Sequence, residues 1–337
     1  MSGAQTDLLN NGTSGKGDWV ADLRSGLGAE GLYALAQVIV QKKKDGSPYL
    51  RLVLQDRTGT INGIFWEGEA LAGRLREGMI VRVSGDAGEY RGSPQLTVRK
   101  MEIVEETVPQ SYFMKTGPED RDELYARLEK VLSGITTPYL KTLLEQIFAG
   151  EGLLEPYLEA PAAKLRHQGY IGGLAEHSVN MAEHARYCSE FYPEADGDLV
   201  VTAALLHDIG KIFEYRVDTV IEYSDEGRLE GHVVMGERLI RRQADSISEF
   251  PEPVKSHLSH LILSHQGKLA HGSPVVPMTL EAVILHAIDH LDSRVATFRD
   301  IRDRYRGEER DWSEYDRLGE QFWYLAAGRE SGDPEND

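Results

Sequence analysis

Hydrophobic and polar positions along this 337-residue chain follow two different rhythms. Between Leu32 and Val104, apolar and polar residues alternate in the short runs LYALAQVIV, YLRLVLQD, INGIFW, MIVRVSGDAGEY and PQLTVRKMEIV. A period of two sends successive side chains to opposite faces of a strand, and the turn sequences DGSP, DRTGT and RGSP separate the runs. About five antiparallel strands are expected, with a short helix over EGEALAGRLREG between the third and fourth. After a connector over Glu105–Ser111, helical periods take over as far as Ala327. The main ones are DRDELYARLEKVLSGI, PYLKTLLEQIFAG, GLAEHSVNMAEHARYCSEFY, DLVVTAALLHDIGKIFEY, VMGERLIRRQADSI, EPVKSHLSHLILSH and TLEAVILHAIDHLDSRVATFRDIRDRY, punctuated by Pro and Gly.

Five strands with a helix between strands three and four is the layout of an OB-fold barrel, and other small β-barrels are the alternative. The expected class is therefore a multidomain β plus all-α protein: an N-terminal five-stranded OB-fold β-barrel followed by an α-helical domain. The boundaries read as a polar, flexible N-terminus over residues 1–17, the barrel over 18–105, the helical domain over 106–327 and a disordered acidic tail over 328–337.

Charge divides the chain in the same place. The whole carries −18, but Gly31–Val104 has 11 basic and 8 acidic residues, so that segment is +3 and the remainder −21. Neutralising nucleic-acid phosphates takes Lys and Arg, which excludes binding over the whole surface and leaves the β-rich segment as the place for it. No apolar run approaches the roughly 20 residues of a membrane helix, and the first residues lack a secretory pattern. The expectation is a cytoplasmic protein with no membrane partner. The one cysteine, Cys188, can build neither an internal disulfide nor a thiolate cluster, so any metal must be held by nitrogen and oxygen.

All 11 histidines lie between His167 and His290, several beside aspartates on the expected helices. Imidazole mixed with carboxylate suits Mn, Fe, Co, Ni, Zn or Mg. The strongest local signal is LLHDIGK, where an apolar helix runs into His207 and Asp208 and stops near Gly210. Helix neighbours point about 100° apart, so both side chains reach one ion only where the helix end faces a cavity. A carboxylate there can also bridge two ions, and two cations about 3.5–4 Å apart can serve an in-line displacement at phosphorus.

With these residues in view, the chain resembles the HD-domain phosphohydrolase superfamily, whose pattern is H…HD…D with extra histidines in two-metal members. His177 in GGLAEHS matches the first histidine, His207 and Asp208 the doublet, and Asp289 in LHAIDHLDSR the last aspartate. His232 in EGHVVMG and His265 in LSHQG match the two additional ligands. Asp292 competes with Asp289; the small apolar pair Ala287-Ile288 before Asp289 favours the latter. Six matched ligands imply two divalent ions, Mn2+ first among those named. The likeness extends further: GYIGGLAEHS, LLHDIGKIFEY, EGHVVMG, SHQGKLAHGSPVVP and EAVILHAIDHLDSR, in this order after an OB-fold, resemble the YhaM family of bacterial 3′-to-5′ exoribonucleases over roughly residues 19–325. One departure is Gln266, where the family suggests a second histidine; an amide can hydrogen-bond substrate but neither ligate well nor transfer a proton.

The resemblance implies that Asp208 bridges the ions and orients the attacking water. Lys211 and Arg294 are candidates for the scissile phosphate, with surface ion pairing as the plain alternative for both, and His167 is a candidate substrate contact on a loop. His184, His257 and His260 read as packing or solvated residues. In the barrel, Lys43, Tyr49, Arg51 and Trp66 are the leading candidates for a basic, base-stacking groove, with Lys42, Lys44, Phe65, Tyr90 and Arg91 nearby. Alternation puts one of Phe65 and Trp66 inside. The implied function is a metal-dependent 3′-to-5′ exoribonuclease acting on single-stranded RNA, with single-stranded DNA and a homo-oligomer left open. A small-nucleotide phosphodiesterase and a non-catalytic single-strand-binding factor are the alternatives.

Overall fold

The structure, a computed structural model, describes residues 15–326 apart from 91–92, 116, 118, 165–167, 307–309 and 317–318. It forms two compact units, one within Met1–Thr116 and Arg216–Glu222, the other within Gly117–Tyr215 and Tyr223–Asp337.

In the first unit, β1 (Gly28–Lys42), β2 (Pro48–Asp56), β3 (Gly59–Phe65), β4 (Ile80–Tyr90) and β5 (Ser93–Ile103) close into a barrel in the order β1-β2-β3-β5-β4. All neighbours are antiparallel except β3 and β5, which meet in parallel from Asn62↔Gln95 to Ile64↔Thr97. The alternation seen in the sequence is the inside-outside code of this barrel: Leu50, Leu52 and Leu54 of β2 point into a core with Tyr33, Leu35, Phe65, Val81, Val83 and Leu96. The helix expected between β3 and β4 is a single 3-10 turn, Gly68–Leu71. Gly73 and Gly78 then take positive φ of 86° and 84°, which breaks any helical run after one turn.

Lys16 and Gly17 belong to the barrel, not to a flexible lead-in; residues 1–14 of that segment, and the acidic tail, lie outside the described residues. Gly17 bridges Gly31, and the buried Lys16 ammonium pairs with the buried Asp56 carboxylate at 2.9 Å while lying over the Tyr33 ring. A polar composition hid this, because a buried lysine is tolerated only with a partner the sequence does not advertise. The Arg216–Glu222 segment also contributes here: Val220 packs with Leu32, Ala34 and Phe113.

The second unit comprises α1 (Arg121–Ser133), α2 (Pro138–Glu145), α3 (Leu154–Glu159), α4 (Gly173–Phe191), α5 (Gly197–Leu206), α6 (Lys211–Glu214), α7 (Asp225–Glu230), α8 (His232–Ser246), α9 (Glu252–Ser264) and α10 (Leu280–Arg304). From Asp198 to Leu206 every residue of α5 is buried, which is why its sequence is apolar on all sides. Its neighbours α4, α9 and α10 supply the rest of one core, including Leu174, Val179, Leu261, Ile262, Leu285 and Ile288. Asp198, in its first turn, accepts from the backbone and hydroxyls of both Thr136 and Thr137 and pairs with Arg186 at 3.0 Å, tying α5 to the start of α2.

The helical region is not all-helical. Tyr215–Val217 (β6) and Ile221–Tyr223 (β7) form a two-stranded ribbon. Among the described residues the last helix ends at Arg304, not near Ala327: Trp312 bridges Tyr324, and Asp316 bridges Gln321.

Candidate metal centre

The centre is built at the C-terminal end of α5. The carbonyls of a helix's last turn lack intrahelical partners, and here the buried Tyr157 hydroxyl donates to the Leu205 carbonyl at 3.0 Å while His207 Nδ1 donates to that of Ala204 at 2.9 Å. The chain then turns over residues 207–210 before α6 starts at Lys211. Gly210 is required by close approach: a Cβ there would lie 2.0 Å from the His232 carbonyl oxygen. Its absence lets the start of α8 press against the doublet, and His232 Nε2 comes to 3.3 Å from Asp208 Oδ1.

Four histidines share one orientation, each with its Nδ1 on an acceptor. His177 uses Asp292 at 2.7 Å, His207 the Ala204 carbonyl, His232 the Glu214 carboxylate at 3.0 Å, and His265 the Ile262 carbonyl at 2.7 Å. A hydrogen bond at one ring nitrogen selects which nitrogen is left to ligate, so in all four Nε2 is the nitrogen turned away from the acceptor. His177 Nε2 lies 3.4 Å from Asp289 Oδ1, and His265 Nε2 lies 3.6 Å from Asp208 Oδ1. The His207 ring sits between those of His177 and His265, with centroids 5.2 and 4.9 Å away.

Among the described residues, two groups bring their donor atoms within 4.8 Å of one another: His177, His207 and Asp289, and His207, Asp208 and His265. His232 is adjacent to Asp208 but belongs to neither group; its Nε2 is met at 3.3 Å by the Gln266 amide. Nearly all buried polar atoms in folded proteins are hydrogen-bonded, yet the buried His207 Nε2 and Asp208 Oδ1 have no hydrogen-bond partner. Cations supply what these atoms lack, so the residues present fit a divalent metal held by nitrogen and oxygen.

The electrostatics of Asp208, Asp289 and His265 agree with that use, whereas those of His177 favour a protonated ring that a cation would have to displace. Burial alone would push the Asp208 carboxyl up, but the Lys211 ammonium and His207 hold it well below the usual carboxylate range. Asp289 is likewise held down against burial, chiefly by the His177 ring beside it. Burial brings His265 down to about 4, which keeps its imidazole neutral and its lone pair available. His177 is buried too, but Asp289 and Asp292 outweigh that and raise it to about 9.

Other expected site residues are placed as follows. Lys211 pairs with Asp208 Oδ2. Arg294 lies 4.6 Å from the centre of the Trp323 ring, a cation–π distance. His167 and Arg91 fall outside the described residues. Two carboxylates stand behind the histidines: Glu214, behind His232, which sequence reasoning missed, and Asp292, behind His177, which it had weighed only as a rival of Asp289 for ligation. Asp292 also accepts from Gln168 and Asn180, both at 3.3 Å. The available signal for Asp292 was its i+3 spacing from Asp289, which puts both on one helix face; Glu214 had only its position at the end of KIFE.

On the barrel, Phe65 is inside and Trp66 is outside, 46% exposed. Register makes Gln41 opposite Tyr49 and Ile39 opposite Arg51, with Arg51 in turn opposite Ile64. Tyr49 and Trp66 stack on each other, centroids 4.7 Å apart at 28°, and the Tyr49 hydroxyl donates to Gln41. Arg51 is exposed two residues along β2, on the same face as Tyr49. Lys43 closes the β1–β2 turn through its backbone N–H to the Ser47 carbonyl at 2.8 Å.

Comparison with known proteins bears on both units. The HD domain family matches residues 174–294, and the OB-fold nucleic acid binding domain family, tRNA_anti-codon, matches residues 35–104. The 3′-5′ exoribonuclease YhaM of Geobacillus sp. (strain WCH70) is 33% identical over 255 residues, which is 74% of this chain and 78% of that protein. The 3′-5′ exoribonuclease YhaM of Bacillus subtilis (strain 168) is 33% identical over 254 residues, 74% of this chain and 80% of that protein. Among solved structures, the second OB-fold domain of replication protein A from Methanococcus maripaludis is similar over 27% of this chain and 98% of its own, at 23% identity and a TM-score of 0.23.

Proposed function

We infer what this chain does from the family to which it belongs, that of the YhaM 3′-5′ exoribonucleases: it is a metal-dependent exoribonuclease that shortens single-stranded RNA from the 3′ end and releases nucleoside 5′-monophosphates. The observation that carries the chemistry is the four imidazoles anchored at Nδ1, gathered around two buried atoms, His207 Nε2 and Asp208 Oδ1, that lack hydrogen-bond partners.

His177, His207, Asp208, His232, His265 and Asp289 are the residues that would hold two divalent ions. Bound there, the ions supply Lewis-acid stabilisation of phosphoryl oxygens and acidify water near neutral pH. The chain's own part is positional and electrostatic. Lys211 keeps Asp208 ionised and adds fixed positive charge beside the reacting phosphate. Asp292 and Glu214 fix the rings of His177 and His232, as carboxylates behind metal-ligating histidines do. Mn2+ is the ion we favour for this nitrogen and oxygen set, in a cytoplasmic enzyme; among the described residues no helix is long and apolar enough to cross a membrane.

The barrel is assigned to strand capture. Tyr49 and Trp66 form one aromatic platform with Arg51 beside it and the Lys42–Lys44 turn at its edge, the combination of stacking and positive charge that holds single strands. That platform favours a polymeric substrate over a small nucleotide, and the complete ligand cluster disfavours a purely binding role. The test is degradation of 5′-labelled RNA, with a matched DNA strand alongside. The expected result is a metal-dependent ladder of shortened RNA that chelator abolishes and that His207→Ala and Asp208→Ala each fail to produce. A ladder that persists in those variants or in chelator refutes the assignment.

A further inference from the structure

Resting on the metal-centre reading, we propose that Gln266 guards the His232 side of the centre: one ion binds first on the His207 side, and a second enters only as the Gln266 amide leaves His232. The assignment starts from the tautomer. His232 Nδ1 lies 3.0 and 3.1 Å from the two oxygens of Glu214. An ionised carboxylate only accepts, so Nδ1 carries the hydrogen and a neutral ring has its lone pair at Nε2. The amide group 3.3 Å from Nε2 must then be the NH2 of Gln266, donating into that lone pair. The other half of the amide agrees: Oε1 lies toward Gly272, where a Cβ would stand 3.0 Å from it, so the absent side chain leaves the oxygen its room.

A lone pair that accepts a hydrogen bond cannot ligate at the same time. The two sides of the centre therefore differ in readiness. On one side the buried His207 Nε2 has no hydrogen-bond partner, and the donor atoms of His177, His207 and Asp289 already converge within 4.8 Å. On the other, His232 is 3.3 Å from Asp208 Oδ1 yet its ligating electrons are engaged by Gln266. Ligation at His232 costs this hydrogen bond, a net effect of about three- to tenfold in affinity. Gln266 is thus a residue that sets how many ions the centre holds at a given metal concentration, with no ligation of its own.

The test is a Mn2+ titration of the full-length, metal-stripped protein, following free and spin-coupled Mn2+ by electron paramagnetic resonance. Two binding steps are expected. Gln266→Ala should tighten the second step about three- to tenfold and leave the first unchanged. Gln266→Glu, which keeps the shape, removes the donor and adds a carboxylate, should tighten it further and bring out the coupled-pair signal at lower Mn2+, a result that covers the case of an alanine variant that folds poorly. Two steps indifferent to residue 266, or a change confined to the first step, overturn the proposal alone. A protein that binds no Mn2+ at all overturns the metal-centre reading, and the proposal with it.

Discussion

At the scale of single residues, the centre is specified as much by what stands behind its ligands as by the ligands. Asp292 holds His177 through Nδ1 and is itself held by Gln168 and Asn180. It has no place in either group of converging donors, so it acts through His177. Asp292→Ala should lower Mn2+ affinity by roughly 10- to 100-fold, the effect usual for the acceptor behind a ligating histidine. Calorimetric titration of the stripped protein checks this, and Asp292→Asn, which still accepts from Nδ1, should recover part of the loss. An affinity equal to that of the unaltered protein would remove Asp292 from the centre. The residues of the doublet were readable because an all-apolar helix that ends in His-Asp and Gly carries two polar side chains into the interior, where they need a partner. Glu214 was not, since nothing local distinguishes a carboxylate behind a ring from one on the surface, and Asp292 was legible only as a rival of Asp289 for ligation.

At the scale of elements, the barrel face and the α5 anchor each make a prediction. Gln41, Tyr49 and Trp66 lie in a row across β1, β2 and the end of β3, and alternation of the pleat was enough to put Tyr49 and Arg51 on one face. It could not show that Tyr49 and Trp66 stack on each other, which depends on register between strands. Trp66→Ala should weaken binding of a single strand by about 1–3 kcal/mol, the worth of a base stack. That loss belongs in KM for long RNA, with turnover at saturation preserved; a fall in kcat at unchanged KM would take the platform out of capture.

Asp198 is the anchor of α5. Burial would raise its carboxyl, but hydrogen bonds from Thr136, Thr137 and Arg186 dominate and hold it far below the ordinary carboxylate range. For a depressed carboxyl, stability is fully present above the unfolded value of about 4 and drains away as pH falls from there toward the folded value. Asp198→Asn should cost about 2–4 kcal/mol at pH 7, with the gap to the unaltered protein closing as pH drops below about 4. Urea unfolding at the two pH values reads both numbers. A gap that does not change with pH would mean that the charge of Asp198 is irrelevant to its role. Elements with strong periods, such as α4, α8 and α9, were legible to within a residue or two at their ends. The turn after β3 and the Trp312–Tyr324 segment were not, because a helical spacing of apolar residues also arises by chance over one or two turns.

At the scale of the whole molecule, the two units do not correspond to two uninterrupted stretches of chain. Arg216–Glu222 follows α6 in sequence but packs with the barrel, where Val220 joins Leu32, Ala34 and Phe113 and Thr219 donates to the Gly78 carbonyl. Cutting the chain near residue 105 to isolate the helical unit would strip that segment of its apolar partners. Point changes such as Trp66→Ala therefore separate capture from cleavage more cleanly than truncation.

Every residue of α5 from Asp198 to Leu206 is buried, and His207 follows it directly. Backbone amides with no route to solvent exchange their hydrogens only when a large part of the fold opens. The α5 amides should be among the slowest to take up deuterium, and stripping the metal with chelator should leave them slow while the amides near His232 and Gln266 quicken. Exchange that speeds equally along α5 would show the metal to be a keystone of the fold. The expected pattern instead describes an anchored half and a yielding half, so that the ions can come and go without the scaffold noticing.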